Sequence, residues 1–176
     1  MTRTKSSGAI AAVVALLTCA ATSPITAQLP QGKTVGYRQL QTFFPTIADW
    51  TRGEADGNDV TVGMSISTAQ VTYTKGESSV NLEITDTAMN QLVIGQMAAM
   101  IQAVKIEQPA NGYRKASTVA GFPAIEEWDA DTKSAELTVI VAGRFIVKAN
   151  ANDVSDIKPA RAVIDAVDLK KLAALK

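Results

Sequence analysis

The residues best equipped for chemistry in this chain are carboxylates gathered around one tryptophan: Glu126, Glu127, Trp128, Asp129 and Asp131. In an extended segment side chains alternate, so Glu127 and Asp129 share one face, and Glu126 and Trp128 the other. Such a group could hold a hard cation or act as an acid/base pair. A calcium loop, however, needs Asx and Gly residues at fixed steps and a closing bidentate glutamate, which this stretch lacks. The ordinary reading is a solvated strand end and turn, with no metal site expected.

Other catalytic sets are missing at the level of composition. The chain has no histidine, and its one cysteine is Cys19. Ser-His-Asp and Cys-His nucleophiles are therefore excluded, as are the usual zinc, copper and haem ligand sets. Gly53, Gly57 and Gly63 do not have the spacing of a phosphate-cradling loop. Asp86 follows a strand and opens a helix, where capping explains it. Lys75, Arg114, Lys115 and Arg144 read as turn or loop cations, which are ordinarily solvated. No catalytic residue and no cofactor is expected. Two aromatic groups remain: Tyr37, Phe43, Phe44 and Trp50, and Phe122 with Trp128. They read first as core anchors. If there is a binding surface, its candidate residues are Phe43, Phe44, Trp50, Trp128, Glu127 and Asp129.

The N-terminus has the three zones of a secretory signal peptide. Arg3 and Lys5 are followed by the apolar run Ala9–Leu17, then by small and polar residues up to a cleavage site after Ala27. The apolar run is shorter than the roughly 20 residues of a spanning helix. Residues 1–27 are thus expected to be a signal peptide, 28–36 a loose leader and 37–176 one domain. Cys19 offers a second outcome, cleavage before a lipidated cysteine, although Thr18 is larger than the residue usually found there. Cleavage after Ala27 leaves a domain without cysteine and with two more acidic than basic residues. The charges are interspersed, which argues against nucleic-acid or polybasic membrane binding.

The elements that would position these residues follow from periodicity. Tyr37–Trp50 predicts a short helix and a turn, with Pro45 as the break. Thr51–Asp59, rich in Gly and Asp, predicts a loop. Strands are expected at Val60–Ile66, Gln70–Thr74 and Ser79–Thr85, with Lys75–Ser78 as a hairpin connection. Thr87–Val104 predicts a helix that packs Met89, Leu92, Val93, Met97, Met100, Ile101 and Val104 on one broad face. Strands at Ser117–Ala120 and Ala124–Trp128 flank a turn at Gly121-Phe122-Pro123. Glu136–Ala142 and Phe145–Ala149 flank a type II′ turn at Gly143-Arg144. Pro159 suits the first turn of a C-terminal helix, and Asp168 can cap a last segment.

The predicted fold is α+β: an antiparallel sheet of about six or seven short strands, with helices packed mainly on one face. The element order resembles small α+β domains of the Mog1/PsbP-like type over most of the mature chain, a likeness of fold that does not assign function. The expectation is an exported, non-enzymatic binding or accessory protein of the bacterial periplasm. Its partner would be another envelope protein or a membrane complex, and the mature chain would have no transmembrane span. One alternative is a small-ligand or lipid carrier using a crevice between sheet and helices. The other is a carboxylate-dependent hydrolase, which would need two carboxyl groups roughly 5 to 10 Å apart in one cleft.

Overall fold

The computed structural model describes residues 33–62, 64–87, 91–103 and 111–175. The expected signal peptide, the cleavage site after Ala27 and the lipidation site at Cys19 lie outside these residues, as do Met89 and Val104. The described chain opens with helix α1 (Tyr37–Leu40) and a 3₁₀ turn (Gln41–Phe43). Strands β1 (Thr51–Val62), β2 (Met64–Lys75) and β3 (Ser78–Asp86) follow, then helix α2 (Gln91–Ala103). Strands β4 (Gly112–Val119), β5 (Phe122–Asp129), β6 (Ser134–Val141) and β7 (Phe145–Asn152) lead to helices α3 (Lys158–Asp165) and α4 (Leu169–Ala173). The strands form one seven-stranded sheet in the order β1-β2-β3-β7-β6-β5-β4. Every neighbouring pair is antiparallel. The sheet is therefore two meanders, β1–β3 and β4–β7, joined along a β3–β7 seam.

The alternation read from β3, β6 and β7 is what builds the main core. Val80, Leu82 and Ile84 of β3, Leu137 and Val139 of β6, and Phe145, Val147 and Ala149 of β7 are all buried on one face of the sheet. Leu40, Phe43 and Phe44 cover that face from the N-terminal side, and Ala160, Val163, Ile164, Leu169 and Leu172 cover it from α3 and α4. Asp168 caps α4 as expected, accepting the Lys171 backbone N–H at 2.9 Å. Pro159 lies in the first turn of α3.

Four expectations are corrected. The single helix-covered face holds for the short helices but not for α2, the longest. Ile94 and Ile101 of α2 pack with Ile140, flanked by Ile125, Ile146 and Ala98. By strand alternation these β-residues point away from the main core, so α2 covers the opposite face. The helix makes this contact through Ile94, Ala98 and Ile101, and Met97, expected in the packing face, is 40% exposed. An almost uniformly apolar helix carries little information about which side it buries, which is why periodicity misplaced Met97.

The second correction concerns Thr51–Asp59, expected as a loop but forming most of β1. It is an edge strand, where charges are tolerated and glycines mark close approaches. Gly57 is such a place: a Cβ there would lie 2.8 Å from Cδ2 of Tyr37. Pairing with β2 supplies the backbone bonds that local composition would not predict, with one irregularity between Arg52 and Ala55. Third, Val60 and Ile66, expected within one strand, are cross-strand partners at the end of the β1–β2 hairpin. The 12-residue lengths of β1 and β2 also exceed the short strands expected. Fourth, the β6–β7 turn is centred one residue earlier than expected. Ala142 and Gly143 have φ of 52° and 61°, and Arg144 N–H donates to Val141 C=O at 3.1 Å. Positive φ at both central positions makes it type I′, with Arg144 as its closing residue. The β4–β5 connection is likewise shifted to Ala120-Gly121, so Phe122 and Pro123 begin β5.

Candidate functional site: a polar shelf on the sheet

Among the described residues, helix α2 covers only part of its face of the sheet. Beyond it, the α2-side positions of β4 to β7 form an open hollow of about 580 Å³. The strand register writes this surface as rows running across the strands. One row is Arg114, Glu127, Glu136 and Asn150, with Asn81 and Thr72 continuing it onto β3 and β2. The next is Asp129, Ser134 and Asn152. All of these side chains belong to positions alternating with the buried ones, so one period-2 pattern produces both the core and the shelf.

The two glutamates of the shelf are each matched by a cation. Glu127 and Glu136 are direct partners across β5 and β6. Like charges facing each other across strands are unfavourable. Each glutamate is answered by a cation on its outer side: Arg114 Nε lies 2.6 Å from Glu127, and Lys148 Nζ lies 2.9 Å from Glu136. Thr138 also donates its hydroxyl to Glu136 at 3.1 Å. The surface therefore presents a positive–negative–negative–positive ladder flanked by the Asn150 and Asn152 amides. A side-chain amide offers both donors and an acceptor. Asp129 is used locally, accepting the backbone N–H groups of Asp131 and Thr132 at 2.8 and 3.2 Å. Asp131 in turn accepts from the Asn111 amide at 2.9 and 3.1 Å.

The other face of β5 carries a separate polar group, packed into the edge of the main core. Glu126 is buried there, only 3% exposed. It accepts from Ser117 Oγ at 2.7 Å and from Arg161 of α3, and Lys115 Nζ lies 3.3 Å away. Arg161 also donates to Ser117 Oγ at 3.1 Å. A buried carboxylate needs such partners, and here they fasten α3 to β4 and β5. Tyr113 lies nearby, its ring 6.4 Å from that of Trp128. Burial pushes the Tyr113 hydroxyl above its ordinary range, with Arg161 pulling it down and Asp156 pushing it up.

A second buried ion pair sits where the described chain begins. Asp86, fully buried, accepts from Arg144 Nε at 2.9 Å and Nη2 at 2.7 Å, and from Val35 N–H at 2.7 Å. Arg144 also donates to the Lys33 carbonyl at 3.1 Å. Asp86 and Arg144, read from the sequence as a cap and a turn cation, are thus a clamp on the N-terminal segment.

The six candidate surface residues separate into two places. Glu127 and Asp129 lie on the shelf. Phe43 and Phe44 are buried in the main core, and Trp50 and Trp128 are half-buried against it. The Trp128 indole N–H is buried without a hydrogen-bond partner among the described residues. Sequence reasoning missed Arg114, Glu136, Lys148, Asn150 and Asn152 as members of one surface. Their alternation was visible, but their adjacency depends on the strand order. Among the described residues, no group of three or more acidic residues could hold a metal ion, and no helix is long and apolar enough to cross a membrane.

No family model, curated protein or solved structure matches the chain.

Proposed function

We propose that this chain is an exported, non-catalytic binding protein of the bacterial cell envelope, and that it engages its target through the polar shelf. The observation that carries this reading is the half-covered sheet face. α2 packs on Ile125, Ile140 and Ile146, yet among the described residues the rest of that face is uncovered, with Glu127 and Glu136 each paired to a cation. A surface whose two glutamates are paired and which retains the Asn150 and Asn152 amides is suited to recognition of a polar target. The absence of histidine and of any cysteine beyond Cys19 supports a role without covalent or metal chemistry.

The carrier alternative draws no support from the shelf, which is open and crossed by charged side chains where a lipid would want an enclosed apolar wall. The hydrolase alternative has one point in its favour, the facing pair Glu127 and Glu136. Each carboxylate is already engaged by a cation, Glu127 by Arg114 and Glu136 by Lys148, and neither is left free to face a substrate. Site-specific photo-crosslinking in a bacterium expressing the full precursor tests the binding reading. A photoreactive residue replacing Asn150 should give envelope adducts, and one replacing Asp165, exposed on α3, should not. Adducts from position 165 alone would refute the assignment of the shelf. Retention of the unprocessed precursor in the cytosol would refute export.

A further inference from the structure

We infer that the target of the shelf is an extended, uncharged glycan strand lying across β4 to β7. This inference rests on the shelf being the binding surface and names the chemistry of what it binds. Three properties of the surface lead to it.

The first is period. The row Arg114, Glu127, Glu136, Asn150 places one polar side chain on each of four neighbouring strands. Strands lie about 4.8 Å apart, so the row extends roughly 14 Å, and Asn81 and Thr72 prolong it in the same direction. A linear β-1,4-linked pyranose chain advances by close to one strand spacing per sugar, alternate sugars being turned over, so that each sugar brings some hydroxyl to the sheet. A glycan laid perpendicular to the strands can therefore meet one row position per sugar. An extended peptide gains most from the unpaired backbone of a sheet edge, which this face does not offer.

The second is charge. Arg114 with Glu127 and Lys148 with Glu136 leave the ladder neutral. An anionic polymer would meet Glu127, Glu136 and Asp129, and a cationic one Arg114 and Lys148. A charged contact to Arg114, Lys148, Glu127 or Glu136 must break a matched pair, and Asp129 already accepts the Asp131 and Thr132 backbone N–H groups. Hydroxyl groups donate to the carboxylates and accept from the guanidinium and ammonium without disturbing the pairs. Asn150 and Asn152 add amides, which bond to hydroxyls in both directions.

The third is shape. On the α2 side the hollow runs from Arg114 on β4 to Asn152 on β7 and is open to solvent. That form accommodates a segment of a polymer passing through, with sugars continuing beyond both sides.

The test is titration of the isotopically labelled mature chain with chitohexaose, an uncharged β-1,4-linked hexasaccharide, followed by amide chemical shifts. Shifts at millimolar ligand, confined to the shelf positions of β4 to β7, are the expected result. Asn150→Leu/Asn152→Leu should weaken binding about tenfold or more while Tm stays within a few degrees. Ala162→Arg, on exposed α3, should leave binding unchanged. An oligogalacturonate of similar length, which carries a carboxylate on each sugar, should bind more weakly than chitohexaose. Absence of shifts with chitohexaose, shifts outside the shelf, or equal or tighter binding of the charged oligomer would overturn the inference. Photo-adducts from position 150 to an envelope protein, without glycan binding, would remove the glycan and retain the binding face. Failure of both would remove the two readings together.

Discussion

Replacing Arg144 with methionine should be among the most damaging single changes to this fold. The side chains of Arg144 and Asp86 are 19% and 0% exposed, so little water can substitute for the guanidinium. In Arg144→Met, both hydrogen bonds from the guanidinium to the Asp86 carboxylate disappear. Removing one partner of a buried pair costs about 3–5 kcal/mol, mainly because the remaining charge has lost its compensation. Against a typical stability of about 5–15 kcal/mol this is a large fraction. In a domain of this size each kcal/mol moves Tm by roughly 2–4 °C, so the expected fall is roughly 6–20 °C. Urea unfolding followed by Trp50 and Trp128 fluorescence measures the loss directly. Asp86→Asn on the same background should recover part of it, since a neutral amide no longer needs a counter-charge. Hydrogen exchange at the Val35 amide should accelerate beyond the global change, because Arg144 also holds the Lys33 carbonyl. A cost under about 1 kcal/mol for Arg144→Met, or a double variant no more stable than the single, would refute the buried pair's role.

Three further outcomes follow from other parts of the molecule. Tyr73 and Tyr113 both have hydroxyls pushed above their ordinary value of 10.0, chiefly by burial. The unfolded chain releases these protons near pH 10 while the folded chain retains them, so their stabilisation is complete below about pH 10 and is lost as pH rises through the folded values; a pH series of urea midpoints should show a steeper alkaline fall than the Tyr73→Phe/Tyr113→Phe variant. Gly57→Ala would bring its Cβ to 2.5 Å from the Thr68 carbonyl oxygen and against Tyr37, so thermal unfolding should show a loss of roughly 1–3 kcal/mol. Ala142→Gly relieves a residue with a Cβ at φ 52°, and chemical denaturation should show a gain of roughly 1 kcal/mol.

The parts of the structure legible in the sequence are those whose burial follows a local period. Val80, Leu82 and Ile84 alternate with polar residues, as do Leu137 and Val139, and each set lies on the core face. The cap at Asp168 was legible for the same reason, since its partner is three residues away. β1 was hidden because its Gly and Asp content suits a turn, and only pairing with β2 makes it a strand. The side chosen by α2 was hidden because its residues are apolar almost all round. For the shelf, the shared face of Glu127 and Asp129 could be read from alternation. That Glu127 faces Glu136 and that Asn150 continues the row could not, because both depend on which strand lies beside which. Similarly, Asp86 and Arg144 are 58 positions apart and meet only through tertiary structure.

The strand order has a kinetic consequence. Within each meander, successive strands are joined by short turns and can pair at little cost in chain entropy. The β3–β7 seam is different: it brings Leu82 against Ala149, with α2 and three strands in the intervening chain. Closing that seam is the single large entropic step in assembling the sheet, and it also completes the apolar layer on which α3 rests. Substitutions along the seam, at Leu82, Ile84, Val147 or Ala149, should therefore slow folding, while equivalent losses in the outer hairpins should chiefly hasten unfolding.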